Sequence, residues 1–128
     1  MNKRSMRSPL SRALGLGSAR EGVEHWWIQR VTAVALVPLT LWFTGSTILL
    51  AGAGHEAFVA WLRRPFSTVL MVLLLIAVFH HMALGLQVMV EDYVHSAAKF
   101  ALLTAVRLGC FALAASGILA TLRIAFVG

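Results

Sequence analysis

Three long apolar runs determine what this chain can fold into. They cover residues 31–54, 66–90 and 100–122, and each exceeds the roughly 20 apolar residues that a helix needs to cross a bilayer. Only 12% of the 128 residues are charged, whereas a soluble domain averages about 25%. The sequence therefore predicts an all-α membrane protein with three transmembrane helices.

Basic residues are distributed unevenly around the predicted spans. Six of the 11 Lys and Arg residues precede the first run, and only two, Arg63 and Arg64, lie in the loop between the first two runs. Because short segments rich in Lys and Arg stay on the cytoplasmic side of a membrane, we predict a cytoplasmic N-terminus and a cytoplasmic second loop. The same rule accounts for the net charge of +6, so no nucleic-acid partner is needed to explain it.

The composition predicts two parts, residues 1–24 and residues 25–128. The first mixes basic residues with Ser and Gly, which predicts a cytoplasmic arm that orients the chain or binds anionic lipid headgroups or a soluble partner. The second is the three-helix transmembrane domain, and it opens with Trp26 and Trp27, whose indole rings suit the bilayer interface. We expect Trp61, in the first loop, to anchor that loop at the other interface.

Two adjacent histidines, His80 and His81, lie within the second apolar run. Ionisable side chains are costly in lipid and are therefore candidates for function. At about 100° per residue, a helix places His81 on one stripe with Gly85 and Asp92, and His80 on the next stripe with Leu84. The two histidines are thus predicted to face different surroundings.

A neutral imidazole inside a helix bundle has three common uses: a hydrogen bond to a neighbouring helix, a proton relay, or an axial bond to haem iron. Gly85, one turn beyond His81, leaves a shallow groove in which a flat macrocycle could approach the backbone, and this favours haem. The other histidines, His25, His55 and His95, all lie near predicted interfaces. A second axial ligand would therefore come from another chain.

Polar residues gather where the second span meets the cytoplasm. Asp92 and Tyr93 open the second loop, and Arg30 enters the first span at a similar depth. A quinone needs a hydrogen-bond donor at each carbonyl and a proton source during reduction. Tyr93 can donate, Asp92 can orient it or pass protons, and Arg30 can pair with Asp92 across the helices.

Arg107 is the only charged residue of the third run and lies about 12 Å into it. This depth is close to the one predicted for His81. The guanidinium either returns to the interface on its long side chain or acts as a counter-ion for an anionic cofactor group near the histidine. Cys110 follows in the same run as the only cysteine, which excludes an intrachain disulfide or a cysteine-based metal site.

These motifs resemble a known family. The segment His81-x-x-x-Gly85, followed by Asp92-Tyr93-Val94, resembles the smaller hydrophobic membrane-anchor subunit of succinate dehydrogenase, respiratory complex II. The run Arg30-Val31-Thr32-Ala33 is similar to the start of that family's first span. The resemblance covers about residues 23–122, with three spans in the same order, and implies a multi-pass protein of a bacterial inner (plasma) membrane.

The resemblance also implies partners and cofactors. The family forms a heterotetramer in which a flavoprotein subunit oxidises succinate, an iron–sulfur subunit carries the electrons, and two anchors hold a haem b and build the ubiquinone site. His81 would be one axial ligand of the haem iron, with the other from the larger cytochrome b-type anchor subunit. Tyr93, Asp92 and Arg30 would bind ubiquinone, and Arg30 would lie beside the haem propionates. Arg107 is outside the family pattern, and its possible contact with a haem propionate is inferred only from its depth in the membrane.

Three alternatives remain open from the residues. His80 directly precedes the presumed ligand, so the iron bond could belong to it instead. The chain could also be a structural or assembly helix bundle that binds no cofactor. Finally, it could be a proton-conducting transport subunit in which His80, His81 and Asp92 form a relay.

Overall fold

The computed structural model describes residues 18–127, with side chains described from residue 23 onward. Within that range the protein is entirely helical and has no strand. Its helices are α1 (Ser18–Leu50), α2 (His55–Arg63), α3 (Pro65–Tyr93) and α4 (Ala98–Phe126). Three segments are long and apolar enough to span a membrane: Val23–Leu50, Pro65–Tyr93 and Ala98–Phe126. The prediction of an all-α chain with three spans in this order is confirmed.

Helix α1 differs from the apolar run that predicted it at both ends. It is already helical at Ser18, so residues 18–24 of the predicted basic arm belong to it, while residues 1–17 lie outside the described residues. It continues through Pro38 and ends at Leu50. Gly52 and Gly54 then turn the chain with φ angles of 79° and 89°, which favour glycine because it has no Cβ.

Helix α2 occupies the segment that we expected to be a loop, and it packs against the protein. The ring of Trp61 stacks on Trp42 of α1 with centroids 5.3 Å apart, and Leu62 is only 3% exposed. The Arg63 Nε donates a hydrogen bond to the Ile124 carbonyl of α4 at 3.1 Å. Trp61 is 9% exposed, so its ring packs mainly against this chain, and its position at the bilayer interface stays a prediction. Its partner is another indole of the same chain.

Helix α3 lies between α1 and α4 and contacts both. Its buried residues all belong to its first half: Ser67, Thr68, Met71, Leu74 and Ala77. Met71, Leu74 and Ala77 form a hydrophobic core with Leu39 of α1 and with Trp61 and Leu62 of α2, at one end of the bundle. From residue 78 to Tyr93, the C-terminal half of α3, no side chain is fully buried. That half, which carries both histidines, is therefore left open by this chain.

Helix α4 packs on α3 through small residues. Cys110 and Thr121 are buried, and they lie on the same face as Ala114 and Gly117. A Cβ atom at Gly117 would lie 3.2 Å from both terminal carbons of Leu75. Small residues let transmembrane helices approach closely, and such packing holds helices together in lipid.

Candidate functional site

The C-terminal half of α3 has a groove on each side. The first, between α1 and α3, has a volume of about 600 Å³ and is called here the polar groove; it is lined by His25, Trp26, Gln29, Arg30, Leu84, Gly85, Gln87, Val88 and Glu91. The second, between α3 and α4, has a volume of about 690 Å³ and is called the apolar groove; apart from His80 and Arg107, its lining is apolar or weakly polar.

His81 is joined to α1 by a hydrogen bond. The hydroxyl oxygen of Thr32 lies 3.1 Å from the Nδ1 atom of the His81 ring, 49 residues away in the sequence. The other ring nitrogen, Nε2, has no hydrogen-bond partner in the described part of the chain. The side chain is half-buried, so a group from a neighbouring chain can reach it.

His80 has different surroundings. Its side chain is exposed and lines the apolar groove together with Arg107 and Leu84. No hydrogen bond to it occurs within residues 23–127. The two histidines therefore face different neighbouring helices, as the helical stripes predicted.

Gly85 opens onto the polar groove and lies beside Gln29 of α1. A Cβ atom at position 85 would be 3.8 Å from the Gln29 Nε2 atom, so the predicted shallow groove is shared with a glutamine that sequence reasoning missed. The Gln29 Oε1 atom is buried and lacks a hydrogen-bond partner among the described residues. Since such an acceptor costs about 1–3 kcal/mol, a donor from a ligand or another chain would stabilise this end of the bundle.

The expected contact between Arg30 and Asp92 does not form in the described chain. The Arg30 guanidinium lies over the ring of Trp26, 5.2 Å from its centroid and one helical turn earlier in α1. Asp92 and Tyr93 belong to the last turn of α3, not to the loop, and Tyr93 is 81% exposed. Equal depth in the membrane sets the height of a side chain but not the direction in which it points, and an aromatic face next to Arg30 gives its cation a local partner.

Arg107 is connected to the end of α3 through an amide. Its Nη2 atom donates to the Gln87 Oε1 atom at 3.1 Å, and the Gln87 Nε2 atom donates to the Glu91 Oε1 atom at 3.2 Å. The guanidinium thus points along α4 toward the helix start, the direction in which helical side chains lean. It lines the apolar groove and is not among the residues that line the polar groove.

Four polar residues of this region were not singled out by the sequence reasoning for a role: Gln29, Thr32, Gln87 and Glu91. The spacing of Gln87 and Glu91, four residues apart, was a usable signal because such pairs meet on a helix surface. No comparable signal links Thr32 to His81, since that contact depends on how α1 and α3 are rotated against each other. Within the described residues no three His, Cys, Asp or Glu side chains form a metal-binding group.

Comparison with known proteins assigns the chain to a family. Residues 4–120 match the family described as succinate dehydrogenase/fumarate reductase transmembrane subunit. The chain belongs to this family. It is therefore a membrane-anchor subunit of succinate dehydrogenase, which confirms the resemblance seen in the sequence, and a multi-pass protein of a bacterial inner membrane.

Several curated relatives share this identity. The chain is 33% identical to the succinate dehydrogenase hydrophobic membrane anchor subunit of Rickettsia bellii over 88 residues, which cover 69% of this chain and 70% of the relative. It is 37% identical to the protein of the same name from Paracoccus denitrificans over 86 residues, 67% of each chain. The succinate dehydrogenase membrane anchor subunit of Reclinomonas americana is 29% identical over 79 residues, 59% of this chain and 66% of the relative. No solved structure matches the anchor subunit significantly.

Proposed function

We propose that this anchor subunit supplies one axial ligand, His81, to a haem b shared with a larger anchor subunit, and contributes Tyr93, Asp92 and Arg30 to a ubiquinone-reduction site. The hydrogen bond between Thr32 and the Nδ1 atom of His81 is the observation that carries the haem assignment. A metal-ligating histidine almost always uses its second ring nitrogen to donate a hydrogen bond, while the first binds the metal. His81 has a hydrogen-bond partner at Nδ1 and a free Nε2, as this arrangement requires, whereas His80 has no hydrogen-bond partner among the described residues.

The packing of the chain supports a shared site. The core of the described residues ends at Ala77, and the half of α3 beyond it contains no fully buried side chain. His25, His55 and His95 are exposed and lie near helix ends, so none of them offers a second ligand at the depth of His81. The second ligand would come from the partner anchor. When bound, the haem supplies a one-electron carrier inside the bilayer.

The residues proposed for ubiquinone lie at the end of α3 and on α1. Tyr93 is twelve residues beyond His81, about 18 Å along the helix, and its exposed phenol can donate to a quinone carbonyl. Arg30 lines the polar groove and offers further donors. Asp92 would pass protons from the cytoplasm, because each quinone that takes up two electrons also takes up two protons. Partner subunits would complete this open surface, with electrons arriving from the flavoprotein through the iron–sulfur subunit.

A proton-conducting transport subunit has less support. A relay through His80, His81 and Asp92 requires a hydrogen-bonded path, but the two histidines lie about 100° apart around α3, with His80 in the apolar groove and His81 against α1. Among the described residues no hydrogen bond joins either of them to Asp92. The cofactor-free bundle is separated from the haem proposal by an optical spectrum, because only the latter requires iron.

The test compares two neighbouring substitutions in the purified complex. We expect His81→Ala to abolish or alter the b-type absorbance in a reduced-minus-oxidised spectrum, and the matched control His80→Ala to leave it near the wild-type spectrum. Loss of the spectrum in His80→Ala alone would transfer the ligand to His80. An unchanged spectrum in both variants would refute the haem assignment.

A further inference from the structure

Thr32 lies on α1 at the point where this helix meets His81 of α3. We propose that Thr32 is a positioning residue that holds the His81 ring in the tautomer with its proton on Nδ1, so that Nε2 presents its lone pair to the iron. This inference rests on the proposed function of His81 as a haem ligand. Its physical basis is the set of three contacts that the Thr32 hydroxyl makes.

The hydroxyl proton of Thr32 is directed at its own helix. The Thr32 Oγ1 atom lies 2.8 Å from the Ile28 carbonyl oxygen and 3.1 Å from the Gln29 carbonyl oxygen. Carbonyl oxygens can only accept, and a hydroxyl has a single proton. If that proton pointed at His81 instead, the oxygen of Thr32 would face two carbonyl oxygens with no hydrogen between them. The favourable arrangement is donation to a carbonyl.

The Thr32 hydroxyl determines which nitrogen of the His81 ring carries the proton. Once its proton is used within α1, Thr32 can meet the Nδ1 atom of His81, 3.1 Å away, only as an acceptor. The Nδ1 atom must then carry the ring proton. A neutral imidazole with its proton on Nδ1 leaves Nε2 as a free lone pair, which is the form that binds iron.

Thr32 also restricts the rotation of the ring. Its own χ1 angle is limited because it is β-branched and because two carbonyls of the preceding turn hold the hydroxyl. The acceptor therefore has a position set by the α1 backbone, and the His81 ring must turn its Nδ1 edge toward it. His80, one residue earlier, has no such partner among the described residues. The pair of adjacent imidazoles thus contains one that is prepared for ligation.

The test uses two variants of Thr32 in the complete complex. Thr32→Val keeps the branched shape and removes the hydroxyl, whereas Thr32→Ser keeps the hydroxyl and removes the methyl group. Haem content per flavin and the haem midpoint potential are measured by optical redox titration. We expect Thr32→Val to weaken haem retention by about 10–100-fold, the usual effect of losing such a partner. We also expect it to raise the midpoint potential, because an imidazole without an acceptor for its N–H is a weaker donor to ferric iron. Thr32→Ser should remain near wild type in both measurements.

The outcomes distinguish this inference from the function on which it rests. If His81→Ala loses the haem while Thr32→Val retains wild-type content and potential, Thr32 has no positioning role and the ligand assignment stands. If Thr32→Val and Thr32→Ser are altered equally, Thr32 acts by packing, and the inference is overturned. Should His81→Ala retain the haem spectrum, the proposed function itself fails. If Thr32→Val does not assemble, the same measurements are made on Thr32→Ala, which also lacks the hydroxyl. A wild-type haem midpoint potential in Thr32→Ala would overturn the inference.

Discussion

The close approach of α4 to α3 at Gly117 predicts how this position responds to a larger side chain. A Cβ atom there would lie 3.2 Å from the Cδ1 and Cδ2 atoms of Leu75, whereas a Cβ atom at Gly109, two turns earlier in α4, would have nothing within 4 Å. Both glycines lie inside the helix. Gly117→Leu and Gly109→Leu therefore change the same residue type in the same helix and differ mainly in what the new side chain meets.

The magnitude follows from two opposing contributions. Replacing a helical glycine by leucine favours the helix by up to about 1 kcal/mol, and this gain is shared by both variants. At Gly117 the additional carbons must displace Leu75, and overpacking of this kind costs about 1–3 kcal/mol. At Gly109 no such displacement is required. The free energy of unfolding of Gly117→Leu should thus fall below that of Gly109→Leu by roughly 1–3 kcal/mol.

The difference can be measured by titrating the purified complex, in detergent micelles, with sodium dodecyl sulfate and following helix content and release of the anchor subunit. We expect Gly117→Leu to unfold at a lower detergent fraction than wild type, and Gly109→Leu to unfold close to wild type. Gly117→Ala should be nearly neutral, since the flexible end of Leu75 can move by a few tenths of an ångström. Equal destabilisation by the two leucine variants would refute the claim that Gly117 sets the α3–α4 distance.

Three further predictions concern the two ends of the bundle. Tyr93→Phe removes the phenolic donor and should slow quinone reduction more than succinate oxidation measured with an artificial acceptor; an equal loss in both assays would contradict this. Trp61→Ala removes the ring stacked on Trp42 and should lower the free energy of unfolding by about 3–5 kcal/mol. In the same detergent titration, Trp61→Phe should lower the free energy of unfolding by less than Trp61→Ala does. Gly85→Leu projects into the polar groove toward Gln29 and should lower the haem content per flavin of the complex, with Gly85→Ala as the milder control; an unchanged haem content would contradict the proposal that the groove beside Gly85 admits the macrocycle.

The three membrane-spanning segments were predictable because each depends only on its own stretch of sequence. Each crossing requires roughly 20 apolar residues irrespective of what lies beside it, and the three apolar runs meet this requirement on their own. Helix α2 was missed although Phe58, Trp61 and Leu62 have helical spacing, because a segment of nine residues between glycine and proline also fits a loop. Its burial depends on Trp42, which is distant in the sequence.

The site was predictable only in part. Helical periodicity correctly separated His80 from His81, because both lie on one helix and the angle between them is a property of that helix. The pairing of Arg30 with Asp92 was inferred from equal depth, and it failed because α1 and α3 are free to rotate about their axes without changing depth. Arg30 instead contacts Trp26, one turn earlier on the same helix, and Arg107 contacts Gln87 between α4 and α3.

The sequence by itself determined the number and order of the membrane-spanning helices and the position of the histidine pair within the second of them, because lipid imposes an apolar run of known length and a helix has a fixed period. Only the tertiary structure decided that α3 lies between α1 and α4, that the core ends at Ala77, and that Thr32 meets His81. These features depend on side chains of different helices fitting together. Such a fit is a property of the packed bundle, so no single stretch of the chain encodes it.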